Sequence, residues 1–550
     1  MINILYFNPI PVLKAFCCCL YLAYLPDFCV AVNRCELLAL YLQTIKKERV
    51  MQQINRRTFI KHSSTVGVGA LTLNLLPSQL MATASNKTAP LPSYPLMTLL
   101  LNRTSFGIND EDKLLYQQLG YEGYIDYQLH ADAIDDSLIE NFIADNLPTV
   151  NMSVVEIRDL IESGEINKNT VANELKNATF LRAAYSKKQL FQVMVEFWNN
   201  HFSVFHLDGP VAVLKSKEDR EVIRPLALSS FSELLHADAK SPAMIVYLDT
   251  FSSTKESPNE NYARELMELH TVSVDGPYSH FDIDEVARCF TGWRVNADGE
   301  FWFQASRHDF DEKKVLGEVI PAGGGVTDGE QVLDILANHE DTAAFISSKL
   351  CKHFISDSPD ASIIESTTTV FRNTNGDIKQ CLKHILMSKQ FMTSKDLKLK
   401  RPLHFMTSAI RGLDGSIFNR PAVRTTRRIL EGLGQLPFNW QTPDGYPDVA
   451  KHWESTTGML FRWNFINGFC FDFLNGYSFS LADIIQEPRT PANILLQITF
   501  KILNRNLSDA DHAALLAYLN DGTTAGGVVP IKKIQGALAI AMGSPYFQLL

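Results

Sequence analysis

A chain of 550 residues that is 46% hydrophobic and 20% charged has a globular composition and the length for one large or two ordinary domains, with no need of staples. Its formal charge of -10, with no Lys/Arg-rich stripe evident in the composition to neutralise phosphates, argues against a nucleic-acid binder. No segment after residue 84 offers the roughly 20 apolar residues that span a bilayer, so no transmembrane anchor is expected in the mature chain.

The first fifty residues hold a cysteine-rich apolar stretch, FCCCLYLAYLPDFCVAVNRCELLALYL, which is out of place ahead of an export leader. We read residues 1–50 as an untranslated extension from a misplaced start, with Met51 as the true one; the alternative is a membrane anchor interrupted by Pro26 and Asp27. From Met51 the sequence runs MQQINRRTFIK. The pair Arg56-Arg57, a moderately apolar run from Val66 to Leu76 and the small-x-small site Ala82-Thr83-Ala84 predict a twin-arginine (Tat) signal peptide over 51–84, cut after Ala84. The Tat translocase is then the partner during export, and the mature protein is periplasmic or extracellular. Setting the extension aside leaves Cys289, Cys351, Cys381 and Cys470, with no C-x-x-C or C-x-x-C-H. No motif for an iron-sulfur cluster, c-type haem or thioredoxin-like chemistry remains, and disulfide pairing stays open.

A Ser/Pro linker, SNKTAPLPSYP, covers 85–95. Helical periodicity dominates after it, and the predicted fold is mainly α: one large helical domain over 96–550 with a minor β-hairpin. Asn109 caps the first long helix. The stretch 170–205 forms one long helix or two joined, and Pro225 and Pro242 break the helical run beyond residue 218. Asp282 and Glu285 have capping-box spacing. In WRVNADGEFWF, Asp298-Gly299 between short alternating runs reads as the hairpin. A loop with Gly323, Gly324 and Gly325 leads to a second helical half that includes a helix capped by Ser508.

The blocks LLNRTSFG, VEFWNNHFSV, AMIVYLD, NENYARELMELHTVSVDG, ARCFTGW, HDFDEKKVLG, TPDGYP and GSPYFQLL arrive in an order that resembles the bacterial domain-of-unknown-function family numbered eighteen hundred, over nearly all of 96–550. The resemblance implies export by the Tat route and a possible partner from a second exported family with a sulfatase-like fold. It implies no activity. Asn199 stands where similar proteins often carry histidine.

Signatures of known chemistry are mostly missing: there is no H-E-x-x-H, G-x-S-x-G, G-x-x-x-x-G-K-[ST] or G-x-G-x-x-G in the required setting. What remains is NENYARELMELH, residues 259–270. At 100° per residue Glu260, Asn261, Arg264, Glu265 and Glu268 share one arc and Tyr262, Ala263, Leu266, Met267 and Leu269 the other. His270 falls on the apolar side, and His201 falls among Met194, Phe197, Trp198 and Phe205. A buried imidazole must find a carbonyl or a ligand. The acidic face is either solvated, with Glu260-Arg264 and Arg264-Glu268 pairs, or the wall of a polar cleft, because Asn259 and Asn261 add helix-poor amides. The loop pair His308-Asp309 is either a solvated turn or a metal-binding or general-base pair. Asp444 and Tyr446 in TPDGYP read most simply as a turn. The expected site therefore uses Glu265, Glu268, His308 and Asp309 as catalytic groups and Glu260, Glu265 and Asp309 as ligands of a divalent metal, with Arg264, His201 and His270 behind them. The function expected is metal-assisted hydrolysis of envelope or extracellular material. The alternative is a non-catalytic helical partner of the sulfatase-like protein or of a cell-envelope polymer. Whether the chain is an enzyme at all is not decided by its sequence.

Overall fold

The computed structural model describes residues 91–206, 209–521, 523 and 527–550. Arg56, Arg57, Ala82, Ala84 and the proposed start at Met51 lie outside the described residues. The fold is mainly α, running from Leu96–Thr104 to Pro545–Gln548, with two small antiparallel hairpins. Buried apolar side chains form a contiguous core that draws on residues from Tyr94 to Phe547. Among the described residues no helix is long and apolar enough to cross a membrane.

Local sequence explains where the elements start and stop. Asn109 and Ser508 accept from Asp112 N–H and Asp511 N–H, the caps expected of them. The 170–205 stretch is two helices, Lys168–Tyr185 and Gln189–His201. The break falls where the Ser186 hydroxyl donates to Asp136 over 2.6 Å and the Lys187 amide donates to the same carboxylate over 2.8 Å, a side-chain alternative to continuing the helix. The capping box ahead of His280–Cys289 pairs Ser279 with Asp282 rather than Asp282 with Glu285. A hydroxyl at Ser279 takes the N-cap and shifts the box by three residues. Pro242 stands in the first turn of its helix, where a missing N–H costs nothing. Pro225 does not start a helix: the run from Val211 widens into a π-turn at Asp219–Ile223 and ends just past the proline, at Leu226.

Strands β1 (Trp293–Val295) and β2 (Phe301–Phe303) pair with Trp293 opposite Phe303, around the expected Asp298-Gly299 turn. A second hairpin, β3 (Lys313–Val315) with β4 (Glu318–Ile320), was not foreseen. It turns on Leu316 and Gly317, both at positive φ, 50° and 89°. Leucine rarely adopts that conformation, so the pair lacks the Asn-Gly or Asp-Gly signal by which such turns are read. All four cysteines among the described residues are free and buried.

Candidate functional site

The NENYARELMELH segment is helical from Glu260 to Glu265 and then widens into a π-turn from Leu266 to His270, a form common at functional sites. Tyr262, Ala263, Leu266, Met267 and His270 are buried, and Glu260, Arg264, Glu265 and Glu268 are partly exposed. Periodicity therefore placed the two arcs correctly, apart from the half-buried Leu269. The asparagines have a local explanation. Asn259 caps the helix by accepting from Asn261 N–H, and the Asn261 amide reaches Asp249 at 3.3 Å. They anchor the helix start to the preceding loop.

Arg264 bridges Glu260 at 2.9 Å and Glu268 at 3.6 Å, the two i,i+4 pairs expected, each worth about 0.3–0.5 kcal/mol. Glu260 also faces the next helix. His280 Nδ1 lies 3.8 Å from its carboxylate, and one ligand atom each from Glu260, His280 and Asp284 all fall within 4.8 Å of one another. His280 and Asp284 are four residues apart on His280–Cys289 and so share a face. A sequence search for His-x-x-x-Asp opposite Glu260 would have found them. Glu265 is half-buried, and its carboxyl is pushed up by burial, then by Glu268 and Asp444, against the opposing charge of Arg264.

His308 and Asp309 bond elsewhere. His308 is fully buried, with Nδ1 2.7 Å from the Thr291 carbonyl and Nε2 3.1 Å from Asp328. Lys313 reaches the same Asp328 oxygen at 2.6 Å. Both Asp309 oxygens are held by Arg288, at 2.7 and 3.3 Å, and Arg288 also pairs with Glu285 at 2.6 Å. Burial would raise the Asp309 carboxyl, but Arg288 and the Asp311 amide hold it below the usual range. Thus the side chains of His308 and Asp309 bond to Thr291, Asp328, Arg288 and the Asp311 amide, and none bonds to Glu260, Glu265 or Glu268.

The two core histidines meet each other. Their ring centroids are 5.9 Å apart, and His201 Nε2 lies 3.2 Å from the His270 carbonyl while its Nδ1 meets Lys349 Nζ at 2.7 Å. Burial, followed by Lys349 and His270, drives His201 well below the usual imidazole range. His270 has neither ring nitrogen bonded, and burial followed by Lys349 takes it to about 3. Lys349 itself is lowered to about 8, chiefly by burial.

The TPDGYP turn docks on the end of the Gln189–His201 helix. Asn200 donates to the Tyr446 carbonyl at 2.9 Å and accepts from the Tyr446 amide at 2.6 Å. Gly445 sits at φ 71°, and a Cβ there would fall 2.1 Å from the Asn200 carbonyl oxygen, so only glycine allows the approach. Asp444 is steadied by Trp440 Nε1 at 2.8 Å and brings its charge to Glu265 and Lys349. Past the turn, Asp448 joins His353 and Lys398, each at 2.8 Å, on a cavity of about 40 Å3 that Glu196, Arg401 and His404 also line. Burial would raise Asp448, but Lys398, His353 and Arg401 hold it well below the carboxylate range. His404, with Nε2 unbonded, is driven well below the imidazole range by burial and by Lys400 and Arg401. A space of that size suits a water or two. These cavity residues escaped sequence reasoning because they come from separate segments, and the stretch KLKRPLHF was the one dense hint.

Chemically, the surface next to NENYARELMELH offers one nitrogen and two carboxylate donors for a divalent cation, and the half-buried Glu265 carboxyl of raised pKa lies on the same helix with Glu268, Arg264 and Asp444 around it. A family model described as a protein of unknown function, DUF1800, matches residues 99–549. No curated protein and no solved structure matches the chain.

Proposed function

Since the chain belongs to the DUF1800 family over residues 99–549, a family of unknown function, we propose from its own geometry that it is an exported, metal-assisted hydrolase of envelope or extracellular material. The observation that supports this is the convergence of Glu260, His280 and Asp284 within 4.8 Å. These three residues would hold a divalent cation, with Arg264 and Glu268 next to them. The cation would polarise a carbonyl or phosphoryl oxygen and ease ionisation of water. Glu265 keeps a proton more readily than an ordinary carboxyl and gives it to the leaving group, so that one product gains hydroxyl and the other hydrogen. Asp309, with both oxygens on Arg288, stays outside the proposed ligand set.

Metal analysis of protein purified from the exported fraction tests the reading. The wild type is expected to carry about one divalent ion, and Glu260→Gln, His280→Ala and Asp284→Asn each to lose at least about tenfold in affinity. Each substitution is expected to change stability by no more than about 0.5 kcal/mol, since the side chains are exposed or partly so. Metal-free wild-type protein that stays folded and binds none of the common divalent ions would return the same face to its other reading, the contact surface of a non-catalytic partner. Export is a separate expectation that rests on the leader. Replacing Arg56 and Arg57 together by lysine is expected to keep the chain in the cytoplasm, as cell fractionation would show; normal export of the double variant would refute the Tat route.

A further inference from the structure

The charge on this chain is unevenly placed. Composition alone suggested that no basic stripe exists, but helix Arg420–Gly432 carries one. It buries Ala422, Thr426 and Leu430, at i, i+4 and i+8. Arg420, Arg424 and Arg428 repeat at the same interval, offset by two residues, which turns them about 200° from the buried stripe. All three are exposed, and no ion pair or hydrogen bond of their side chains occurs among the described residues. Arg427, on the flank, donates to Asn177 at 2.8 Å. Burial lowers it first, and then the like charges of Arg424 and Arg428.

Such a helix breaks two rules at once. Like charges four residues apart repel, and Arg420 puts a cation in the first turn, where the helix dipole disfavours it. Local rules broken together in this way mark a surface kept for binding. We propose that this face binds a linear anionic polysaccharide along the helix axis. Four residues rise about 6 Å, so three guanidinium groups span about 12 Å in a row. Each offers a planar fork that fits a carboxylate or a sulfate. A broad anionic surface such as a membrane would meet the rest of a chain with net charge -10, whereas a thin polymer touches only the stripe. A single-stranded nucleic acid would want aromatic platforms between the cations. The residues between the arginines, Pro421 to Val423 and Thr425 to Arg427, include no aromatic ring, and the exposed Phe461 lies at the far end of the helix against Gly432. The inference is independent of the proposed metal site.

The test uses the full exported chain and labelled polygalacturonate, a carboxylate polymer, and dextran sulfate, with neutral dextran, phosphatidylglycerol vesicles and single-stranded DNA beside them. Binding of either anionic polymer is expected to weaken steeply between about 50 and 200 mM salt, and the tighter of the two names the anion. Arg424→Glu with Arg428→Glu is expected to weaken it at least about tenfold with the thermal midpoint unchanged, because both side chains are exposed. Arg424→Lys with Arg428→Lys is expected to bind more weakly than wild type but more tightly than the glutamate variant, since the charge remains and the fork is lost. Undiminished binding by the glutamate variant, equal binding of neutral dextran, or tighter binding of vesicles or DNA would each overturn the proposal.

Discussion

Acidification from pH 6.5 toward pH 4 is expected to destabilise the folded chain far more steeply than carboxylate titration alone would, because four imidazoles are held neutral inside it. His206 is lowered to about 4 by burial and then Lys176, and His270 to about 3 by burial and then Lys349. His201 and His404 are driven well below the usual range by burial and neighbouring cations. In the unfolded chain all four titrate near pH 6.5. Below that pH the unfolded state binds protons that the folded state refuses, so stability rises with pH in this window. It is fully present above about 6.5 and is lost as pH falls toward the folded values. Each such proton contributes about 1.4 kcal/mol per pH unit, and four together up to about 5.5. Urea midpoints measured at about pH 7, 6 and 5 would show the decline, and a flat profile over that range would refute it. His270→Phe isolates one contributor. Its ring already lies 5.0 Å from Phe202 and 5.9 Å from His201 with both nitrogens unbonded. Replacing an orphaned polar group by an apolar one of similar shape is neutral or stabilising. The variant is expected to match or exceed wild type near pH 7 and to lose about one proton from the slope.

What could be read from sequence was local, and what could not depended on distant partners. The arcs of NENYARELMELH followed from 100° periodicity, and Asn109, Ser508 and Asp298-Gly299 followed from cap and turn chemistry. The π-turn at Leu266–His270 has no such signature. His308 reads in sequence as part of a solvated turn or of a metal-binding or general-base pair, but it is buried on Asp328, which lies on the helix after the glycine loop, and nothing in HDFDEKKVLG points that far. For Glu260 the missing partners were within reach: His280 and Asp284 share one face of the next helix. The arginine stripe was equally accessible. It went unseen because charge was weighed as a total, whereas Arg420, Arg424 and Arg428 only line up when the same wheel is applied to them.

Removing Asp328 is expected to be among the most destabilising single changes in the chain. The carboxylate is fully buried, on helix Val326–Ala337, and one of its oxygens receives both Lys313 Nζ at 2.6 Å and His308 Nε2 at 3.1 Å. Lys313 lies at the start of β3 with its side chain fully enclosed, so Asp328 is also what ties the second hairpin to the helix behind it. Asp328→Ala leaves an ammonium without its counter-charge in a site that water does not reach, and breaking a buried pair in this way costs about 3–5 kcal/mol. Part of that cost belongs to the stranded lysine and not to any lost attraction. Lys313→Met with Asp328→Leu, which removes both charges and keeps much of the volume, is therefore expected to recover most of the loss. Urea denaturation of the two single variants and the double variant closes the cycle. A cost below about 1 kcal/mol for Asp328→Ala would mean that the pair is solvated. A double variant no better than the sum of the singles would mean that packing, not charge, dominates the site. The same set separates architecture from chemistry: if His308 serves only this buried triad, the double variant keeps whatever metal Glu260, His280 and Asp284 hold, because those three side chains lie at the surface and share no bond with it.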